Sequence, residues 1–221
     1  MFSLVIPTYN ERDNIKPLLD KLTKTLAGLD YEVLVVDDDS PDGTAVEVLN
    51  FHELNPRVRC IVRRKEKGLS SAVIDGFKRS RGEVLGVMDA DLSHDHRILP
   101  QMIDQVMNGL DLVVGTRSGV EGWGVKRKVI SKGASTLAKL FLSVELSDPM
   151  SGFFVLKREV FDQVKDGLNP LGYKILLEIY QRARPLKLGE VYYVFNDRVA
   201  GESKLSSKVM REYLKQLISL R

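Results

Sequence analysis

The sequence contains little cysteine, little histidine and no long apolar run. Cys60 is the single cysteine among 221 residues, which excludes an internal disulfide and a cysteine cluster for zinc, and favours a reducing, cytosolic compartment. No run of about 18 apolar residues is present, the length that a membrane-spanning helix requires. The first residues, MFSLVIPTYNE, have no basic start and too short an apolar run for a signal peptide. A helical pattern continues to Arg221 without a stop signal, which leaves a C-terminal continuation open.

Charge of one sign is not concentrated in any long segment. The chain has 33 basic and 30 acidic residues, with a net charge of +3 and the two signs interspersed. Proteins that bind nucleic acid usually carry a concentrated basic stripe. We therefore expect no nucleic-acid partner.

Short apolar runs alternate with amphipathic stretches, which indicates an α/β fold with a mainly parallel sheet flanked by helices. The predicted strands are 3–6, 31–36, 58–63, 83–88, 110–115, 153–156 and 188–195, and Pro7 is expected to close the first. Helices are predicted near 15–26, 45–54, 70–80, 129–142, 159–164, 173–183 and 209–218. We expect one domain over 1–221, with a nucleotide-binding half of about 1–117 and a second half of about 118–221.

Acidic clusters follow two of these strands. Asp37–Asp39 comes after the second strand, while Asp89 and Asp91 come after the fourth. Ligands of open α/β sheets bind beyond the carboxyl ends of the strands, and paired carboxylates suit Mg²⁺ or Mn²⁺ that also binds substrate phosphates. A D-x-D sequence alone is more often an acidic loop with capping roles, but its position after an apolar strand favours a metal site. Asp38 is placed to accept hydrogen bonds from a base or a ribose.

A rigid loop leaves the first strand as Pro7-Thr8-Tyr9-Asn10-Glu11. Tyr9 offers an aromatic face, and Glu11 offers a carboxylate near the same strand ends. Asn10 also suits helix capping, and both interpretations can hold together.

The motifs PTYNE, VVDDDSPDGT, GEVLGVMDADLSH, GTR, DPMSGFF, GYKILLE and FNDRVAGESK occur in this order along the chain. In this respect the sequence resembles the dolichol-phosphate mannose synthases of glycosyltransferase family two, which have the GT-A fold. The resemblance covers essentially the whole chain. PTYNE and the D-x-D point only to the wider family, whereas DPMSGFF and R-x-x-G-E-S-K are specific to the polyprenyl-phosphate branch.

The resemblance implies roles for particular residues. Nucleotide-sugar contacts fall on Pro7, Tyr9, Glu11, Val36, Asp38, Asp89, Ala90, Asp91, Arg198 and Lys204. Asp89 and Asp91 match the metal site, and with Arg117 they are the implied catalytic residues. The acceptor phosphate would contact Arg117, Arg127 and Ser131. Two departures from the family pattern are Ser93, where some relatives carry a metal-binding Gln, and Ser118, where Tyr is common and the following loop is shorter.

The implied activity is an inverting, Mg²⁺- or Mn²⁺-dependent transfer of mannose from GDP-mannose to dolichyl or polyprenyl phosphate, a step of protein glycosylation. A phosphate monoester has its second pKa near ~6 and is largely a dianionic nucleophile at neutral pH, so it needs cations rather than a general base. We therefore interpret His52, His94 and His96 as structural. The implied location is the cytoplasmic face of a membrane, either peripheral or anchored by a C-terminal segment.

Membrane contact is also expected from basic amphipathic segments at 125–142 and in the last predicted helix. The loop 196–204 is expected to close over the donor diphosphate.

Other interpretations remain open from the sequence. A polyprenyl-phosphate glucosyltransferase using UDP-glucose would carry nearly the same motifs. A receiver-like signalling module would also place acidic residues after VLVV and VMDA, although its usual later lysine is replaced by Gly115-Thr116-Arg117. A phosphatase with a D-x-D nucleophile would carry that motif on its first strand.

Overall fold

The computed structural model describes residues 1–65, 67–120, 144–170 and 174–195. The strands in these ranges are β1 (Phe2–Thr8), β2 (Tyr31–Asp37), β3 (Val58–Val62), β4 (Val84–Val87), β5 (Leu112–Val120), β6 (Phe154–Lys157) and β7 (Leu188–Phe195). The helices are α1 (Arg12–Thr25), α2 (Thr44–Leu54), α3 (Leu69–Arg79), α4 (Leu99–Met107), α5 (Arg158–Val164) and α6 (Ile175–Ala183), with a 3-10 helix at His96–Ile98. Among these helices, none is both long and apolar enough to cross a membrane.

The seven described strands form one mixed sheet in the order β3-β2-β1-β4-β6-β5-β7. β6 is antiparallel to both β4 and β5, and the other neighbouring pairs are parallel. The prediction of a mainly parallel sheet flanked by helices is confirmed. β6 belongs to the second half of the sequence but lies between two strands of the first, so the two halves share one sheet.

The central strands of the sheet are buried on both faces, as expected where helices cover a parallel sheet on each side. Alternate residues of β2 show this, because Leu34 belongs to the same buried cluster as Phe77 of α3, and Val35 belongs to the second cluster with Leu18 of α1. These side chains are fully buried, and each contributes about 1.5–3 kcal/mol to folding. The continuous apolar strands therefore hold the sheet rigid beneath its loop-bearing edge.

β1 continues through Pro7, so the expectation that Pro7 closes this strand is wrong. The Thr8 carbonyl accepts a hydrogen bond from Asp38 N on the β2 side (3.1 Å), and the Val5 carbonyl accepts from Met88 N on the β4 side (3.2 Å). Because backbone groups alternate between the two sides of a strand, the Pro7 nitrogen points to the β4 side, beyond the last β1–β4 pair. The missing N–H therefore costs no ladder hydrogen bond.

β5 is also longer than predicted. It runs to Val120 beside β7, with a register shift between Arg117 and Gly119. The Ser118 hydroxyl donates to the Tyr193 carbonyl at 3.0 Å across this irregularity. Arg117 thus lies within a strand and not after one, because pairing with β7 extends β5 where its own sequence turns polar. Bulges of this kind often re-aim side chains beside functional sites.

Candidate active site

The carboxyl edge of the sheet brings together segments that are far apart in sequence. β4 leads into Asp89 and Asp91, β5 carries Arg117, and the turn 148–152 enters antiparallel β6 at the same edge. α6 begins here as well, because it runs back along the sheet before β7, and Lys174 precedes its first turn. The sequence motifs DAD, GTR and DPMSG therefore meet Lys174 at one place.

Asp91 is held by its own loop. Its side chain belongs to a residue only 4% exposed, and Oδ1 accepts hydrogen bonds from the Ser93 backbone N–H (3.2 Å) and from the Ser93 hydroxyl. Leu92 has φ of 61°, a left-handed conformation that costs on the order of 1–3 kcal/mol for a non-glycine residue. The strained turn brings Ser93 back onto Asp91. Ser93 is fully buried and holds the Asp91 carboxylate in place.

Asp89 is more open, with a side chain 36% exposed. Its Oδ2 lies 3.2 Å from His94 Nε2, and a Cβ built on Gly152 would lie 2.9 Å from the same oxygen. Only glycine at position 152 lets the turn before β6 approach Asp89 this closely. The Asp89 carboxylate is therefore bounded on two sides by protein.

Arg117 forms a two-pronged ion pair with Asp148. Nε and Nη2 donate to the two carboxylate oxygens at 2.5 and 2.8 Å, and the side chains are 15% and 8% exposed. Burial alone lowers the pKa of Arg117, but the hydrogen bonds and charge of Asp148 outweigh it and raise the pKa above its usual range. The guanidinium also lies 5.5 Å from the Phe195 ring centre. Arg117 is thus a permanently charged, fixed cation.

Lys174 adds a second cation that sequence reasoning missed. Its Nζ donates to the Met150 carbonyl at 3.3 Å. Burial holds the pKa of Lys174 below its usual value; the charges of Asp89 and Asp148 only partly oppose this, and the charge of Arg117 adds to the lowering. Lys174 occupies the N-cap of α6 without a side-chain cap hydrogen bond, a position where lysine is a poor residue because the helix dipole is positive there. A residue that is unfavourable for its local secondary structure, in a site with several charged groups, is typical of a functional residue.

The three consecutive aspartates at the end of β2 have three different environments. Asp37 is fully buried and accepts hydrogen bonds from Thr8 and Ser40, so it organises the turn. Asp38 is 7% exposed and pairs with Arg63. Asp39 is exposed, at φ of 55°. Asp37 and Asp38 have different hydrogen-bond and ion-pair partners, and Asp39 is exposed to water, which reduces the repulsion expected between three neighbouring carboxylates.

The other positions implied by the family resemblance, on or just after β1, β2 and β4, differ in accessibility. Tyr9 is 39% exposed, with Lys67 Nζ 5.4 Å from its ring centre. Glu11 accepts a hydrogen bond from Asn14 at 2.8 Å. Pro7, Val36 and Ala90 are buried, and Pro7 pairs with Val36 in the β1–β2 ladder, so their side chains are not accessible to a ligand. The Asp38 carboxylate accepts a second hydrogen bond within the protein, from the Gly68 backbone N–H at 2.7 Å.

Two of the histidines have contacts typical of structural residues. His52 Nδ1 lies 2.6 Å from the Val58 carbonyl, and His96 Nδ1 lies 2.7 Å from the Thr25 hydroxyl. His94 differs, because it contacts Asp89 and its side chain is only 3% exposed. It belongs to the site, which the sequence did not indicate.

Several expectations fall outside the described residues. These are the roles of Arg127, Ser131, Arg198 and Lys204, the basic segments at 125–142 and after 208, and the closure of loop 196–204.

Two carboxylates suit a divalent cation that shares its coordination shell with substrate. Over residues 1–65, 67–120, 144–170 and 174–195, no cluster of three or more His, Cys, Asp or Glu side chains is placed to hold a metal by itself. Mg²⁺ and Mn²⁺ sites of this type use one or two carboxylates and complete their shell with water and phosphate oxygens. Asp89 and Asp91 fit such a site, whereas a zinc site closed by protein ligands would need more.

Comparison with known sequences decides the family. Residues 3–165 match Glycosyl transferase family 2. The chain belongs to this family. It is 46% identical over 99% of its length to a dolichol-phosphate mannosyltransferase of Pyrococcus furiosus, and it spans 63% of that protein. Proteins of the same name from Mycosarcoma maydis and Saccharomyces cerevisiae are 37% and 38% identical, over 99% of this chain and 78% and 86% of theirs.

Solved structures confirm the fold of this family 2 chain. Glucosyl-3-phosphoglycerate synthase from Mycobacterium tuberculosis, in complex with Mn²⁺, UDP-glucose and phosphoglyceric acid, has a TM-score of 0.75 at 18% identity, covering 100% of this chain and 79% of that one. Its UDP complex has a TM-score of 0.73 with the same coverage. The resemblance to dolichol-phosphate mannose synthases and the GT-A-type fold are confirmed. Family membership excludes the receiver-like module and the phosphatase.

Proposed function

We propose that this protein transfers mannose from GDP-mannose to dolichyl phosphate or a related polyprenyl phosphate, with inversion at the sugar. The name shared by relatives at 37–46% identity supports this substrate pair. The observation that carries the proposal is the meeting of Asp89 and Asp91 with Arg117 and Lys174 at one sheet edge. Carboxylates for a metal and fixed cations for phosphates are the groups that transfer between two phosphorylated substrates needs.

The donor diphosphate is placed near the D-x-D in this proposal. Asp89 and Asp91 would hold Mg²⁺ or Mn²⁺, which supplies positive charge to the departing nucleoside diphosphate. The Mn²⁺ in the Mycobacterium tuberculosis neighbour supports a divalent metal. Tyr9 offers an exposed ring beside the adjoining end of β1.

The acceptor needs orientation rather than activation. An oxygen of the dianionic lipid phosphate attacks the anomeric carbon, the bond from that carbon to the diphosphate oxygen breaks, and the nucleoside diphosphate leaves from the opposite face. Arg117, fixed by Asp148, and Lys174 reduce the repulsion between the two phosphorylated substrates. Both ring nitrogens of His94 lie within hydrogen-bonding distance of protein groups, which agrees with a mechanism that uses no histidine base.

The acceptor also determines where the protein works. A polyprenyl phosphate presents its head group at a membrane surface, so we propose that the domain operates at the cytoplasmic face of a membrane. Salt-sensitive binding to anionic liposomes would support this placement, and equal recovery with neutral liposomes would argue against an electrostatic contact.

A donor panel tests the proposal. GDP-mannose, UDP-glucose and UDP-mannose are each incubated with a short polyprenyl phosphate and Mg²⁺ or Mn²⁺, and product is followed by mass spectrometry. We expect transfer from GDP-mannose only, and loss of transfer with EDTA. As a surface control, Asp75→Asn, which alters a pair with Arg79 on α3, should give the same result as the unmodified protein. Transfer from UDP-glucose alone would show that the donor sugar is glucose and not mannose. Transfer that persists in EDTA would show that the reaction does not need a metal.

A further inference from the structure

His94 bridges the candidate metal site and the last described strand. Its Nε2 lies 3.2 Å from Asp89 Oδ2, and its Nδ1 lies 2.5 Å from the hydroxyl of Tyr193 on β7. The two partners lie on opposite sides of the ring and are distant in sequence. His94 is therefore the link between the D-x-D turn and β7.

Aromatic rings enclose this histidine. The ring centres of Phe153, Tyr193 and Phe195 lie 5.2, 5.8 and 5.4 Å from that of His94. All three residues are buried, as is His94. The imidazole cannot swing away without disturbing this packing, so its nitrogens have fixed directions.

The hydrogen-bond partners determine which nitrogen carries the hydrogen. An ionised carboxylate only accepts, so Nε2 must be the donor toward Asp89. In the neutral ring Nδ1 is then an acceptor, and the Tyr193 hydroxyl donates to it. Burial raises the pKa of Tyr193 well above its usual value, and the charge of Arg117 only partly offsets this. The phenol therefore keeps its hydrogen at any physiological pH.

Burial alone does not fix the Asp89 side chain. Its side chain is 36% exposed, whereas Asp91 is buried and tied to Ser93. Gly152 limits Asp89 on one side, since a Cβ there would meet both carboxylate oxygens at 2.9 and 3.2 Å. The His94 hydrogen bond limits it on another.

We propose that His94 is a positioning residue that orients Asp89 for metal binding, with the Tyr193 hydroxyl holding its ring through Nδ1. This inference rests on the proposed metal-dependent function and adds the residues that hold the metal ligand in place. Outer partners of this kind commonly change metal affinity by about 10–100-fold when removed.

Metal binding, measured without turnover, provides the test. Mn²⁺ is titrated against each variant in the presence of GDP and followed by electron paramagnetic resonance. His94→Phe keeps an aromatic ring but has no donor, and we expect its Mn²⁺ affinity to fall about 10–100-fold. His94→Gln keeps an N–H donor and should recover most of this loss. Tyr193→Phe should have an intermediate effect, because Nδ1 loses the hydrogen bond that holds the ring while Nε2 still donates to Asp89.

Controls separate positioning from folding. His96→Gln changes a histidine that pairs with Thr25 away from the site, and its Mn²⁺ affinity should equal that of the unmodified protein. Circular dichroism and thermal unfolding identify any variant that fails to fold, and His94→Gln then carries the comparison. In the transfer assay, His94→Phe should need more Mn²⁺ for half-maximal rate and recover part of its turnover at saturating metal.

Specific results would overturn the inference. Wild-type Mn²⁺ affinity in folded His94→Phe would show that the hydrogen bond does not matter. Equal losses in His94→Gln and His94→Phe would show that an N–H donor at this position is not enough to hold Asp89. If the unmodified protein bound no Mn²⁺, Asp89 would not be a metal ligand and the inference would fail, while the donor panel would still decide the transferase function independently. Normal transfer with normal metal dependence in His94→Phe would contradict the role of His94 and leave the proposed transferase function unaffected.

Discussion

The ion pair between Arg117 and Asp148 provides a direct test of how the site is built. Asp148→Ala would leave the Arg117 guanidinium without its two-pronged partner, in a position where the side chain is 15% exposed. Water reaches such a group poorly, so the lost hydrogen bonds are not replaced. The structure therefore predicts a large loss of stability from a change outside the apolar core.

The expected magnitude follows from the burial of both partners. Removing one member of a buried ion pair typically costs about 3–5 kcal/mol, because the other charge is left uncompensated. For a chain of this size, each kcal/mol lowers the melting temperature by about 2–4 °C. Asp148→Ala should thus lower it by roughly 6–20 °C. Asp148→Asn keeps one acceptor oxygen and should lose less.

Urea unfolding of single and double variants measures this effect. Arg117→Met combined with Asp148→Leu replaces the pair by apolar groups and should be more stable than Asp148→Ala alone. Arg97 and Asp95 provide a matched control with the same two-pronged geometry, at 2.8 Å for both contacts, but with Arg97 79% exposed. Arg97→Ala should have little effect on stability, because the pair is exposed to water. Equal losses in Asp148→Ala and Arg97→Ala would refute the reasoning.

Three further predictions concern catalysis. Asp91→Asn keeps the acceptor oxygen for Ser93 but removes the charge, so Mn²⁺ binding by calorimetry and most turnover should be lost; unchanged binding would contradict a role for Asp91 in the metal site. Lys174→Met should lower turnover about 10–100-fold, the value of one charge-assisted hydrogen bond, without lowering the melting temperature, since lysine is a poor N-cap. Lys165→Met, at an exposed pair with Asp162, is its control, and reduced stability with full turnover would make Lys174 structural. Turnover should also fall below about pH 6 as the acceptor phosphate takes its second proton, and a pH–rate profile that stayed flat to pH 5 would contradict a dianionic nucleophile.

Much of the fold could be predicted because strand and helix signals are local. Apolar runs ending in aspartate predicted β2 and β4 to within two residues, and the range 188–195 was predicted as observed for β7. The placement of Asp89 and Asp91 at a strand end followed from the same pattern. By contrast, β1 can continue through Pro7 because the pairing between β1 and β4 ends before that residue. The local sequence does not show where that pairing ends.

The site was predicted less completely, because its contacts join distant segments. DPMSGFF and GYKILLE were identifiable as motifs, yet nothing in them shows that Asp148 holds Arg117 or that Lys174 faces the same edge. The signal for Lys174 was present, since a lysine at a helix start is unfavourable. His94 had no such signal, because a histidine beside a D-x-D has the same local sequence whether or not it contacts an aspartate.

The sequence by itself determined the types of the elements, the carboxylates at the end of β4 and membership of glycosyl transferase family 2. These depend on residue identity and short spacing, which are properties of the chain before it folds. Only the tertiary structure decided the partners of each charged group. Arg117 meets Asp148 across 31 residues and His94 meets Tyr193 across 99. Such pairs form because β6 inserts between β4 and β5 and β7 pairs with β5, and strand order is set by the packing of the whole sheet.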